Sequence, residues 1–180
     1  CFGIEQGDIV TLVDGDYYER VMEEFKEAKE SIYMEMYMVK LEGESKGIVQ
    51  AMALRLIEAQ RRGVKVEVVL EGGLLHERSL SAATPSHEMN KRFYDLLSKE
   101  GIKVKYDSPD RVLHAKAIVI DGYKVILGSH NWSYYSLRQN HEAGVLIKSR
   151  EIASLILPPQ PRRSPTATYA VLDEDTYFKE

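Results

Sequence analysis

Val112-Leu113-His114-Ala115-Lys116-Ala117-Ile118-Val119-Ile120-Asp121-Gly122-Tyr123-Lys124-Val125-Ile126-Leu127-Gly128-Ser129-His130-Asn131-Trp132 is the most informative stretch of the chain. Asp121-Gly122 lies between two runs rich in β-branched residues. A tight hairpin turn needs positive φ at both central positions, and Asp-Gly supplies it at low cost. With those two as the whole loop, Ile120 is expected opposite Tyr123, His114 opposite Ser129 and Val112 opposite Asn131. Directly opposed residues project to one face with Cβ atoms about 4.5–5.5 Å apart. Strand alternation adds Lys116 to the face of His114, and Asn131 to that of Ser129. Ala115, Ala117 and Gly128 fall on the other face, small enough for close packing.

One end of the hairpin is therefore expected to gather an imidazole, an ammonium, a hydroxyl and an amide. Burying such groups unpaired would cost roughly 1–3 kcal/mol each. A tetrahedral oxyanion would satisfy them.

These residues also resemble a family signature. His114-x-Lys116, then Asp121 after four residues, then Gly128-Ser129-x-Asn131 after six more, is similar to the motif of the phospholipase D superfamily. The resemblance continues into Asn140-His141-Glu142-Ala143-Gly144-Val145, and more loosely from Ile9 to Leu157. It implies metal-independent cleavage or transfer of phosphodiesters through a covalent phosphohistidine, with no cofactor. By position, His114 would be the nucleophile or its acid partner. Lys116, Ser129 and Asn131 would hold the non-bridging oxygens. Glu142 would accept a hydrogen bond from the distal imidazole nitrogen and fix the tautomer. Asp121, some seven strand residues or roughly 20 Å from His114, is assigned to the turn.

Attack and departure in line require an imidazole on each side of phosphorus, and this sequence supplies one complete motif. The second is expected from a homodimer mate or a following repeat, which places the site at a two-fold or pseudo-two-fold interface.

The remainder alternates strand and helix. Ile9–Val13 reads as a short strand, and Asp16 with Glu19 resembles a capping box opening a helix through about Glu30. Ser31–Val39 alternates like a strand. Ile48–Arg62 reads as a helix with Gly63 as its C-terminal cap, and Val64–Leu70 as a strand. Leu74–Ser86 looks irregular, Ser86–Glu100 helical, and Ile102–Tyr106 a strand. This order predicts an α/β fold: a mixed, largely parallel sheet flanked by helices. The expected catalytic domain covers residues 1–157 and a Pro-rich linker residues 158–169. Residues 170–180 read as the possible start of a second repeat, because Val171–Tyr177 echoes Leu12–Tyr18.

Composition excludes several classes. The 180 residues carry 24 Lys+Arg against 28 Asp+Glu, a net charge of −4, which argues against a wholesale basic coat for nucleic acid. At 44 % hydrophobic and 29 % charged, the sequence reads as soluble and globular. The Ser31–Val39 run is too short to span a bilayer. Cys1, the one cysteine, rules out a disulfide framework or Cys-rich zinc module. A first residue that is Cys reads as processing or as a product of expression; processing would imply export, with or without lipidation.

Other candidates have bland readings. A lone His114 would be a satisfied core histidine, and only its company argues for chemistry. His130 and His141 are expected to point away from the site, while His76 and His87 lack metal-ligand spacing. Glu35 and Tyr37 share one face of a strand, from which a charge could reach the site, though an outward-facing side is the plainer reading. Arg61, Arg62, Lys91, Arg92, Lys103, Lys105 and Arg111 are candidate nucleic-acid contacts or simply solvated helix faces. Trp132, Tyr134 and Tyr135 are candidates for the pocket mouth, with core packing equally able to explain Trp132. The substrate stays open between DNA or RNA and a phospholipid. The alternatives are a lipid phosphatidyltransferase resembling cardiolipin synthase and a non-catalytic phosphate- or nucleic-acid-binding module.

Overall fold

The computed structural model describes residues 7–41, 47–73 and 85–158. Cys1, His76, most of the Pro-rich segment and the echo at Val171–Tyr177 lie outside them. The elements are β1 (Ile9–Val13), α1 (Gly15–Glu27), β2 (Ser31–Met36), α2 (Ile48–Arg61), β3 (Lys65–Leu70), α3 (Pro85–Lys99) and β4 (Lys103–Tyr106). They continue through β5 (Lys116–Ile120), β6 (Lys124–Gly128), α4 (Tyr134–Arg138), β7 (Ala143–Lys148) and α5 (Arg150–Ile156).

All seven strands form one sheet in the order β1-β7-β6-β5-β2-β3-β4. The α/β class and the flanking helices match the expectation. Parallel pairing, however, is confined to β2–β3 and β3–β4, and the other four pairings are antiparallel. The hairpin and β7 return along the sheet without crossover helices, so only the first half of the chain builds parallel units.

One sheet face, carrying Ile32, Met34, Met36, Val66, Val68, Leu70, Ile118 and Ile126, packs with Val21, Phe25, Met52, Leu56, Phe93 and Leu97 from the helices. Trp132 lies fully buried in this core between Phe25 and Phe93, and its indole N–H donates to Tyr17 at 3.2 Å. That position settles Trp132 as packing, with Tyr134 and Tyr135 left exposed. On the opposite face, Tyr33, Val69, Val119 and Val125 form a smaller cluster with Ala153 of α5.

Helix α1 departs from its expected ends for local reasons. Its N-cap is Asp14, not Asp16, at φ 50° and ψ −118°, and the Asp14 side chain makes no cap bond. That carboxylate instead accepts from the Glu142 amide at 2.8 Å. The helix stops at Glu27, short of Glu30, because the Asp121 carboxylate accepts from the amides of Lys29, Glu30 and Ser31 at 2.8–3.1 Å. Gly63, at φ +93°, closes α2 as expected.

The hairpin itself is shifted by one residue. Ile120 pairs with Lys124 and Ala117 with Leu127, so the loop is Asp121-Gly122-Tyr123 rather than two residues. Asp121 and Gly122 do take positive φ, 51° and 65°. The Tyr123 amide bonds back to Ile120 at 3.2 Å, which adds the third loop residue. Asp121 thus serves the turn and its neighbouring connection, as its distance from His114 implied.

Candidate active site

β5 begins at Lys116 and β6 ends at Gly128, so His114, Ser129 and Asn131 all lie beyond the ladder, at the open end of the hairpin. The cross-strand pairing of His114 with Ser129 is therefore not formed. Instead β7 brings Glu142 to Ser129, and the end of β2 brings Tyr37 to His114 and Lys116.

His114 is exposed and Lys116 is buried beside it. The Lys116 Nζ lies 3.4 Å from both imidazole nitrogens and donates to the His114 carbonyl at 2.9 Å. Burial pushes the Lys116 pKa down from its ordinary 10.5, while the Glu142 carboxylate pulls the other way and only partly offsets it. The Tyr37 ring packs at 4.5 Å from the His114 ring, tilted by 53°, with the ammonium 4.9 Å from its centroid. The outward-facing reading of Tyr37 is thereby corrected: β2 lies next to β5, which turns its ring onto His114. That adjacency is set by Met36 pairing with Lys116, and the Tyr37 amide then donates to Ala115 at 3.0 Å.

Ser129 leaves the hairpin for β7: its amide donates to Ala143 at 3.0 Å and its hydroxyl donates to the Glu142 carboxylate. Glu142 also accepts from the Ser136 hydroxyl at 2.7 Å and from Asn140 at 3.2 Å. Burial alone would push its carboxyl up, but these three donors hold it below the ordinary 4.5. Within one chain Glu142 thus binds Ser129, Ser136 and Asn140, and not the His114 imidazole as expected. Its carboxylate reaches Lys116 through its field alone.

Asn131 is placed by the bridge of its neighbour Trp132 to Val39. Its amide oxygen is buried with no partner among the described residues, a position that a hydrogen-bonding guest would satisfy.

His130 is fully buried and stacked on Tyr17 at 4.1 Å, and His141 is exposed against Asp14 at 3.1 Å, both away from His114 as expected. His87 packs on Tyr106. Glu35 accepts from the Tyr33 hydroxyl at 2.8 Å on the face opposite the main core. Among the described residues no helix is long and apolar enough to cross a membrane.

The site therefore presents an exposed imidazole, a buried ammonium, a hydroxyl-bearing strand end and a carboxyl held below its ordinary pKa, at one end of a mixed sheet. Comparison with known proteins places the fold and the family. A family model described as cardiolipin synthase, phospholipase D-like domain matches residues 21–157. A phospholipase D of Rickettsia prowazekii is 31 % identical over 137 residues, covering 76 % of this chain and 57 % of that protein. The human mitochondrial cardiolipin hydrolase is 28 % identical over 97 residues, covering 54 % of this chain and 34 % of that protein. The fold is shared with Nuc of Salmonella typhimurium, a phospholipase D family member. That match has a TM-score of 0.63 at 23 % identity, over 82 % of this chain and 88 % of that one. The chain spans little more than half the length of the Rickettsia relative. With the motif, the sheet and the matched residues 21–157 in agreement, the chain belongs to the phospholipase D superfamily.

Proposed function

We propose that residues up to Leu157 form the catalytic unit of a metal-independent phosphodiesterase, acting through a covalent phosphohistidine on His114. The observation that carries this reading is the pairing of an exposed imidazole with a buried ammonium 3.4 Å from both its nitrogens. A His114 nitrogen forms the bond to phosphorus as the bond to the leaving oxygen breaks, and an imidazole on the far side protonates that oxygen. Water or an alcohol then displaces His114, giving hydrolysis or transfer. Lys116 neutralises charge on the non-bridging oxygens and the Asn131 side-chain N–H groups donate to them, with Ser129 held by Glu142. The second imidazole comes from another copy of the motif, in a homodimer mate or a following repeat. The substrate class is a phosphodiester, of nucleic acid or of a phospholipid.

Incubation with bis-p-nitrophenyl phosphate in EDTA tests the reading. Turnover that survives chelation and falls on the order of 10⁴-fold in His114→Ala is expected. No turnover favours a binding module, and activity lost to chelation overturns the mechanism. Sizing of the active species tests the two-copy requirement, since a monomer with one motif should be inert. Parallel assays with single-stranded DNA and with phospholipid vesicles separate the substrates.

A further inference from the structure

Lys116 poses a problem for its own neighbour. An ammonium beside an imidazole would ordinarily donate along an in-plane lone pair, and that lone pair is what an attacking histidine must offer phosphorus. The equal 3.4 Å distances exclude that arrangement. A point in the ring plane at that range from both nitrogens would overlap other ring atoms, so the ammonium sits over the imidazole face. Two features hold it there. Its good hydrogen bond, 2.9 Å, goes back to the His114 carbonyl. Its other side meets the Tyr37 ring at 4.9 Å, within the range where a cation is drawn to an aromatic face. Tyr37 also packs at 4.5 Å on the imidazole, so one side chain constrains both members of the pair.

We propose that Tyr37 is a positioning residue of this site: its ring fixes the tilt of the His114 imidazole and draws the Lys116 ammonium out of the imidazole plane, leaving the in-plane nitrogens open. The inference rests on the reading of His114 as the reacting group. Tyr37 is itself anchored at the end of β2. Its carbonyl accepts from the buried Asn90 side chain at 2.9 Å, and its amide donates to Ala115 at 3.0 Å. The ring face, and not the hydroxyl, meets both partners.

Three replacements isolate the face: Tyr37→Phe keeps it, Tyr37→Leu removes it, and pentafluorophenylalanine at position 37 keeps its shape while reversing its polarity. Tyr37→Phe should match wild type. The other two should lose about 10- to 100-fold in kcat, with KM changed less. Among the described residues the groups facing Lys116 are His114, Tyr37 and Glu142, so the alkaline limb of the pH profile should move to lower pH in those two variants alone. Nitrogen-15 spectra of the His114 ring should show a new in-plane hydrogen bond in the same two. A pentafluorophenylalanine variant indistinguishable from wild type, or a Tyr37→Phe loss equal to that of Tyr37→Leu, would overturn the proposal. So would a loss that follows melting temperature with unmoved nitrogen spectra. If wild-type protein turns over no phosphodiester, the proposed function fails, while the nitrogen spectra still decide the geometry.

Discussion

The Leu113 amide donates to the Glu71 carboxylate at 2.5 Å, one residue ahead of His114. Glu71 is only 2 % exposed and its other oxygen accepts from the Gly73 amide, also at 2.5 Å. Its carbonyl accepts from Asn90, whose side chain also takes the Val39 amide at 2.7 Å. The segments following β2 and β3 and preceding β5 are thus joined through two buried side chains. Glu71→Gln offers one acceptor where two amides need one each, and should destabilise by about 1–3 kcal/mol. Urea unfolding should show the loss, and activity should fall at temperatures where the variant is still folded. A variant with full stability and activity would remove Glu71 from the support of the site.

Asp14 gives a second test, because its backbone and side chain pull in opposite directions. Positive φ at a non-glycine residue costs on the order of 1–3 kcal/mol, and the side chain offsets this by accepting from the Glu142 amide. Asp14→Asn keeps an acceptor, Asp14→Gly loses the bond but relieves the backbone, and Asp14→Ala loses the bond and keeps the strain. Thermal melting should rank them Asp, Asn, Gly, Ala in falling order. An alanine variant as stable as the glycine one would refute the strain.

The acidic end of the stability curve should report on Asp121. Burial pushes its carboxyl up, but the amides of Glu30, Ser31 and Lys29, with Lys124, outweigh this and leave it below 3.8. A carboxyl with a depressed folded-state pKa stabilises above its unfolded value, and that contribution disappears as pH falls through the folded value. Asp121→Ala should cost about 1–2 kcal/mol at neutral pH, allowing for solvent screening, and flatten the acid limb of stability against pH. The pH profile of turnover should be unchanged, since the turn is remote from His114. A shifted profile would contradict the structural role.

Lys116 should set the alkaline limit of activity. Its ammonium, depressed by burial below 10.5, is the form that the proposed mechanism requires, and it is lost as pH rises. Turnover should therefore decline at a lower pH than for a free lysine. Stability moves the other way, because deprotonation relieves the cost of a buried charge. Lys116→Arg should push the decline in turnover to higher pH at reduced kcat. An unmoved limb would assign the titration to another group.

Much of this architecture was readable from residues alone. Gly63, at positive φ, closes its helix where the pattern put it, and the Asp121-Gly122 turn is where its chemistry requires. The motif residues could be singled out because chemistry-bearing side chains recur at fixed spacing. The hairpin register could not, since whether Tyr123 joins the loop depends on a single backbone hydrogen bond. The roles of Tyr37, Glu71 and Asn90 were hidden for another reason. Their partners lie far away in sequence, and only the strand order β5-β2-β3 brings them together. The bonds of Glu142 to Ser136 and Asn140 within the chain were hidden too, because neither residue stands out in sequence.

Gly128 and Gly144 sit opposite one another on β6 and β7. A methyl group at Gly144 would fall 2.8 Å from the Leu127 carbonyl oxygen, and one at Gly128 would fall 2.9 Å from that of Ala143. Backbone cannot yield as a side-chain tip can, so even alanine at either position must wedge the strands apart. Ser129 follows one glycine directly and Glu142 precedes the other by two residues, which carries any such wedge straight to the hydroxyl and carboxylate. Two facing hydrogens thus set the spacing on which both of those side chains depend.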